Sequence, residues 1–344
     1  MHDRIDSRGP SRERPDREAL RALLSDALER SPADETSISW LEVTRRQVGH
    51  RWPDNGAGGE PRYKRDVQVR VLEAGRLGTF RTEASSWGGL ERAIRQAMAH
   101  ARTREKIPGF PHLPRDRSPL PELPEIRDET IQGMSADRAR RELETRLDTR
   151  ERGHLTWGDV RLAVASSHGL SRFAVATEIR LEVASGPPGT AGYAARATRT
   201  LDRLPWETVI DRARARQGTE EVGSPPTGES FPVVLAPEAT AQLLDVVNRR
   251  SLTAWDYELG DTFLREFLGV QVFDRSLELV DDATDPDGLP FPFDLEGTAK
   301  RPVAVIEHGV PRTPALDQYH AARWGLPATP HACADDDARF EHLA

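Results

Sequence analysis

The sequence predicts an α+β chain, an N-terminal antiparallel sheet with packed helices followed by a β-rich C-terminal domain. Three observations carry that prediction. Alternating apolar and polar residues mark strands at 37–48, 67–72 and 77–82 ahead of an amphipathic helix, and a second group of strands at 159–166, 171–183 and 191–201 follows another helix. Beyond residue 270, short apolar runs alternate with turn-forming sequences such as DPDGLP and EHG. Strands that follow one another directly, rather than alternating singly with helices, favour antiparallel pairing.

Each element has its own local reason. In 15–30, Leu20, Leu23, Leu24, Ala27 and Leu28 recur at helical spacing, with Asp16 and Glu18 in the first turn, where the helix dipole favours carboxylates. The residues before it, 1–14, are charged and lack an apolar core, so they are expected to be disordered. The turn residues of PDNGAGGEP, 53–61, join the first two strands as a hairpin with a solvated tip, and EAGR at 73–76 turns the chain into the third. Ser85 or Ser86 then caps a helix carrying Leu90, Ile94, Ala97, Met98 and Ala101. Six prolines between Ile107 and Ile126 exclude helix and central strand there and leave an extended connector.

Ser135 caps the next helix, with Ala136, Ala139, Leu143 and Leu147 on one side, and the three strands after it read as a meander. A helix over 206–217 closes this unit, and EEVGSPPTGES, 220–230, reads as a linker. The expected domains are therefore 15–224 and 225–344. In the second, 231–235 is predicted to be a short buried strand. Pro237 sits where a helix's first turn tolerates a missing N–H, with Leu243, Leu244 and Val247 as the apolar face, and a last helical piece falls at 315–324.

Composition excludes several classes of function. With 344 residues, a net charge of −8 and arginines scattered among acids, the chain has no basic patch for a nucleic acid. No apolar run reaches the ~20 residues a membrane span requires, and the charged start does not read as a secretory signal, so a cytoplasmic location is expected. The single cysteine, Cys333, excludes an intrachain disulfide and any multi-thiolate metal site.

Candidate chemistry is sparse. The tail after Pro330 offers His331, Cys333, Asp335, Asp336, Asp337 and His342, a mixed set of metal donors on paper, with a solvated acidic terminus as the plainer reading. Asp281 with Asp282, and Asp294 with Glu296, are carboxylate pairs open to acid–base work or to turn formation and capping. His308 and His320 stand in no nucleophile context, since no G-x-S-x-G occurs, and the glycines of NGAGGE lack the Lys-Ser/Thr of a phosphate loop.

Four ordered segments carry a family resemblance. They are VRVLEAGRLGTFRTEASSWGGLERAIRQAMAHAR at 69–102, AVASSHGLSRF at 163–173 with Ser167, Gly169 and Leu170 in a turn, FPVVLAPEATAQLL at 231–244, and 279–325. The last contains Val-Asp-Asp with Asp281 and Asp282, Asp-x-Glu-Gly at Asp294, Glu296 and Gly297, Ile-Glu-x-Gly at Ile306, Glu307 and Gly309, and Asp-x-Tyr-x-Ala at Asp317, Tyr319 and Ala321. Together they resemble the TldD/PmbA (TldD/TldE) family of metallopeptidases and gyrase modulators from about residue 40 onward. The resemblance implies that these motif positions serve the fold.

Two departures shape the expected function. The family's catalytic branch carries His-Glu-x-x-x-His on the helix that follows 231–235, and the aligned positions here are Asp245, Val246 and Arg250. Valine cannot take a proton and a guanidinium repels a cation, so no metal site is expected in this chain. Family members also continue well beyond Gly325, so the chain is expected to be C-terminally short of the family. Both departures resemble the PmbA/TldE branch. They imply a non-catalytic subunit that pairs with a zinc-bearing TldD-like homologue and shapes the chamber where unfolded or modified peptides are hydrolysed. Zinc would belong to that partner. Asp245, Asn248, Arg249 and Arg250 would face the chamber, with an ordinary solvated helix face as the alternative. Two other functions stay open: a subunit of a heteromeric amide-cleaving enzyme in natural-product biosynthesis, and a stand-alone peptide- or partner-binding module.

Overall fold

The computed structural model describes residues 14–51, 59–107, 109, 112–115, 117–218, 228, 230–260 and 262–332. Along the chain come α1 (Arg17–Glu29), β1 (Glu35–His50), β2 (Arg62–Glu73), β3 (Arg76–Thr82) and α2 (Trp87–Thr103). After the proline-rich connector follow α3 (Glu129–Gln132), α4 (Ala136–Arg146), β4 (Glu151–Ser166), β5 (Ser171–Ser185), β6 (Gly192–Thr198) and α5 (Trp206–Ala215). The remainder holds α6 (Pro237–Ser251), α7 (Ala254–Leu259), α8 (Leu264–Phe267), β7 (Leu279–Asp281), β8 (Val303–Glu307), β9 (Val310–Pro311) and α9 (Gln318–Trp324). The architecture is α+β, as the alternation pattern predicts.

Strands β1 to β6 form one antiparallel sheet in the order β3-β2-β1-β4-β5-β6. Its centre is the pair β1 and β4, sixteen residues each, in register from Ser37 opposite Ser166 to His50 opposite Gly153. Because side chains alternate, that register sends Ile38, Trp40 and Val48 to one face and Leu41 and Val43 to the other. Helices α1 and α2 cover the first face over β1 to β3, enclosing Trp40, Val67, Val69 and Val71 with Leu20, Leu90 and Ile94. Over β4 to β6 the same face is covered by α3, α4 and α5, which close on Leu155, Trp157, Ile179 and Leu181. Gly78 lets α2 lie directly on β3, since a Cβ there would meet the Ala97 carbonyl oxygen at 1.9 Å.

The caps follow the local chemistry. Asp16 Oδ1 accepts the Ala19 N–H at 2.8 Å and Ser135 Oγ the Arg138 N–H at 3.2 Å, whereas Ser86 starts α2 without a side-chain cap bond. The short α3, unforeseen in the sequence, is capped by Asp128, whose second oxygen accepts the Leu201 N–H at 2.8 Å and so ties connector to meander.

The second face of the sheet is covered from far along the chain. Phe291, Phe293 and Leu295 pack on Leu41, Val160, Leu162, Val164 and Ala176, forming one buried cluster. Arg199, Arg196 and Arg203 fix the approach to it. The buried Arg199 donates to the carbonyls of Pro290 at 3.1 Å and Leu289 at 2.7 Å, Arg196 to Asp287 at 2.7 Å, and Arg203 to Pro286 at 2.9 Å. Burial, only partly offset by Glu178, pulls the Arg199 guanidinium down to about 10.

Two expectations for the region after residue 230 fail. The segment 231–235 is not a buried strand: Phe231 is 53% and Val234 99% exposed, and no described strand lies beside it to accept its backbone bonds. On α6, Leu243 and Leu244 are exposed, and Val247 alone of the expected face packs inward, against the cluster of Leu252, Leu264 and Ile306. Periodicity identified the helix but not what would cover it. The C-terminal strands are short and lie among turns, and α7 and α8 were not foreseen because each is under two turns long. Most of the hairpin tip, the linker and the first fourteen residues lie outside the described residues.

The second-face cluster makes a direct stability claim. Phe293→Ala should cost about 3–5 kcal/mol in urea unfolding, the range for truncating a buried phenylalanine, while Val234→Ala should stay within about 0.5 kcal/mol. Equal effects of the two would mean that this face is not a core.

Candidate functional site

The sequence points to two places, the helix α6 and the motif-bearing segment 279–325. On α6, Asp245 and Asn248 are exposed, as are Leu243, Leu244 and Val246 beside them, while the side chains of Arg249 and Arg250 lie outside the described residues. The helix is held at its ends. Glu238 in the first turn meets Arg216 at 2.7 Å; burial pushes its carboxyl up, but backbone donors and Arg216 together hold it below the usual range. At the other end the chain returns to the core through Val247 and Leu252.

The motif residues gather elsewhere, in a buried clasp between the large sheet and α9. Asp294 closes a tight turn: its Oδ1 accepts the N–H groups of Glu296 at 2.9 Å and Thr298 at 2.8 Å, and its Oδ2 that of Ala332 at 3.0 Å. Gly297 takes a φ of +77° in that turn, the left-handed region that a side chain disfavours. Glu296, 2% exposed, pairs with Arg70 of β2 through one oxygen and accepts the Gln318 N–H at 2.9 Å through the other. Asp317 caps α9, accepting the His320 N–H at 2.8 Å and lying 2.7 Å from its Nδ1. One carboxylate thus joins strand to helix, bonding Arg70, 226 residues before it, and Gln318, 22 residues after it.

The electrostatics of this clasp are uneven. Burial, and then the neighbouring Glu296 carboxylate, push Asp294 up to about 7, while Lys300 and the backbone donors pull the other way. Burial also disfavours charge on Asp317, yet the His320 bond and Arg70 together hold it below its ordinary value. Asp281 is likewise held low despite burial, chiefly by the His331 ring at 2.6 Å.

The other motif residues are separate from the clasp. Asp282 closes a turn on the Thr284 N–H at 2.8 Å. Glu307 pairs at the surface with Arg312 at 3.0 Å, and Gly309, at a φ of +73°, allows an approach in which a Cβ would sit 2.4 Å from the Phe273 carbonyl oxygen. Tyr319 packs with Leu72 and Leu113 and accepts from Arg323 at 3.3 Å.

Sequence reasoning missed a second polar cluster. Glu182 accepts the Tyr193 hydroxyl at 2.7 Å and lies 3.3 Å from both His154 Nδ1 and Arg180, so that, despite burial, its carboxyl falls to about 2 while burial and this same carboxylate push Tyr193 up to about 12. The four residues come from three adjacent strands, and alternation alone could have placed them on one face without showing that they meet. A carboxylate held so low is a poor proton acceptor at neutral pH; the cluster orders the sheet edge.

Zinc does not fit the described residues. A zinc site requires three or four converging donors. Helix α6 supplies Asp245 beside Val246, and among the described residues no three His, Cys, Asp or Glu side chains gather to hold an ion. His331 is engaged with Asp281, and Cys333, Asp335, Asp336, Asp337 and His342 lie outside the described residues.

The raised Asp294 has a consequence for stability. Between its ordinary value of 3.8 and about 7 the folded chain holds a proton that the unfolded chain has lost, so its contribution is full below pH 3.8 and disappears as pH rises through 7. Urea midpoints measured from pH 5 to 7.5 should therefore fall more steeply for the wild type than for Asp294→Asn. Histidines titrating in that window affect both proteins alike. Parallel slopes would show that Asp294 is ionised throughout.

Residues 227–339 match the family model described as PmbA/TldA metallopeptidase C-terminal domain. The chain is similar in structure to TldE from Thermococcus kodakarensis, with a TM-score of 0.74 at 19% identity over 92% of this chain and 74% of that one. A candidate modulator of DNA gyrase from Thermotoga maritima gives 0.71 at 18% identity over 92% and 75%, and one from Bacteroides thetaiotaomicron 0.69 at 17% over 90% and 75%. No curated protein sequence matches significantly. At these identities the structural likeness is one of fold. The match over 227–339 and the shared fold together support the TldD/PmbA family for this chain.

Proposed function

We propose that this chain is the non-catalytic, PmbA/TldE-like subunit of a TldD/TldE-type peptidase, cytoplasmic, pairing with a zinc-bearing TldD-like homologue. The observation that carries the reading is α6. By the family resemblance this helix is where the catalytic branch places its zinc ligands. Here it presents Asp245 and Val246 instead, and it exposes Leu243 (53%) and Val246 (59%) on an ordered surface. Contiguous apolar surface of this kind marks contact with another chain. The fold shared with TldE supports the same branch.

In this reading the partner's zinc supplies the Lewis acid and the activated water, and the chain contributes walls to a shared chamber. Asp245 and Asn248, exposed on the same helix, would face a peptide held in extended form, where main-chain bonds give affinity with little demand on sequence. Arg249 and Arg250 would extend that surface.

The test is co-expression with the TldD-like homologue encoded in the same genome, followed by metal analysis of the pair and of this chain alone. One zinc per pair, with none in the isolated chain, is the expected outcome. Leu243→Glu with Val246→Glu should abolish co-purification while leaving the circular dichroism of this chain unchanged. Stoichiometric zinc in the isolated chain, or a pair indifferent to both substitutions, would overturn the assignment.

A further inference from the structure

A cavity of about 300 Å³ opens between α1 and the turn joining β4 to β5, apart from α6 and the 279–325 clasp. Its apolar lining comes from Leu20 and Leu24 of α1 and from Leu170 and Phe173. Its rim is cationic: Arg17, Arg21 and Arg172 all line it.

The charges at this rim are unbalanced. Arg17 and Arg21 are four residues apart, so they stack on one side of α1, an arrangement that destabilises a helix through like-charge repulsion. Neither meets a carboxylate within ion-pair distance among the described residues. Of the acids on or next to α1, Asp16 caps the helix, Asp26 pairs with Arg30 at 2.7 Å and Glu29 accepts from Ser25 at 3.1 Å, while Glu18 in the first turn makes no ion pair with either arginine. Arg17 instead lies 5.5 Å from the centre of the Phe173 ring, part of the apolar lining. Arg172, 9% exposed, donates to the Ser118 carbonyl at 2.8 Å and is held in the cavity wall.

We infer that this cavity binds an organic carboxylate carrying an apolar arm, the C-terminal end of an apolar peptide. Arg17 and Arg21 would receive the carboxylate, and Leu20, Leu24 and Phe173 the adjoining side chain. A bare inorganic anion would leave the apolar lining uncovered, and an uncharged apolar ligand would cover the arginines without satisfying them. The volume, at the lower limit for ligand pockets, suits one or two residues rather than a folded segment. The inference rests on the cavity alone and is independent of the subunit assignment.

Calorimetric titration of the full chain with N-acetyl-leucyl-leucine, its C-terminal amide, octanoate and inorganic phosphate tests it. The acid should bind with a Kd of about 1 mM or tighter. The amide should bind at least about tenfold more weakly, and Arg17→Gln with Arg21→Gln should weaken the acid by a similar factor with an unchanged circular dichroism spectrum. Both arginines are exposed, so the fold does not depend on them. Equal binding of acid and amide, or of wild type and double variant, would overturn the site. Tighter binding of octanoate would overturn the peptide as its source, and saturation by phosphate in competition with the acid would overturn the role of the apolar arm.

Discussion

Burial of Phe291, Phe293 and Leu295 against Leu41, Val160, Leu162 and Val164 is the contact on which the rest of the molecule depends. The two central strands are apolar on both faces, and the helices that follow them in sequence can reach only one. Leaving the second face to water would forgo roughly 1.5–3 kcal/mol for each large side chain it holds. The chain therefore returns after more than a hundred residues to lay a non-repetitive segment across its own sheet. Loop-closure entropy grows only slowly with separation, so distance in sequence is a modest obstacle to such a contact.

Apolar burial alone would not fix where that segment stops. The polar groups around it do, because each buried donor or acceptor has few acceptable positions. Arg199 reaches three carbonyls, of Thr177, Leu289 and Pro290, and Asp294 has both oxygens occupied by backbone donors. The pair of Arg70 with Glu296 is nearly dry, and such pairs return little net stability once desolvation is counted. Their value is in register. A one-residue slip of the segment would strand a buried charge, at a cost of several kcal/mol, while an apolar contact could slide and repack.

How much of this was legible in the sequence follows from the range of each interaction. Elements set by neighbours were readable: the α1 spacing of Leu20, Leu24 and Ala27, the Ser135 cap, the prolines of the connector and the alternation in β1 and β5. Strand ends were less so, because β4 begins at Glu151, eight residues before its apolar alternation becomes plain. Contacts between distant residues were not readable. VQVRVL shows that Arg70 lies on the face opposite Val69 and Val71, yet nothing in it names Glu296. The motifs at 279–325 were visible as a family pattern, whereas their meaning as a clasp required three dimensions. The cavity beside α1 was missed for the same reason, since nothing in the sequence places Arg17 and Arg21 beside the β4–β5 turn.

The contrast between α2 and α6 shows why a helical period does not by itself predict burial. Both carry apolar residues at helical spacing, and α2 buries Leu90, Ile94, Ala97 and Ala101 because Gly78 and the apolar side of β2 lie beneath it. Among the described residues no sheet packs beneath the middle of α6. A fifteen-residue helix is marginal in water on its own, so its order must come from its ends, from Arg216 on Glu238 at the start and from Val247 and Leu252 in the C-terminal cluster at the finish. The middle turn, with Leu243, Leu244 and Val246, is thus held in shape without being covered. A surface ordered before contact spares an incoming chain most of the entropy of ordering it. That is why the exposed face of α6, rather than any cluster of ionisable groups, carries the proposal that this chain is one half of a larger enzyme.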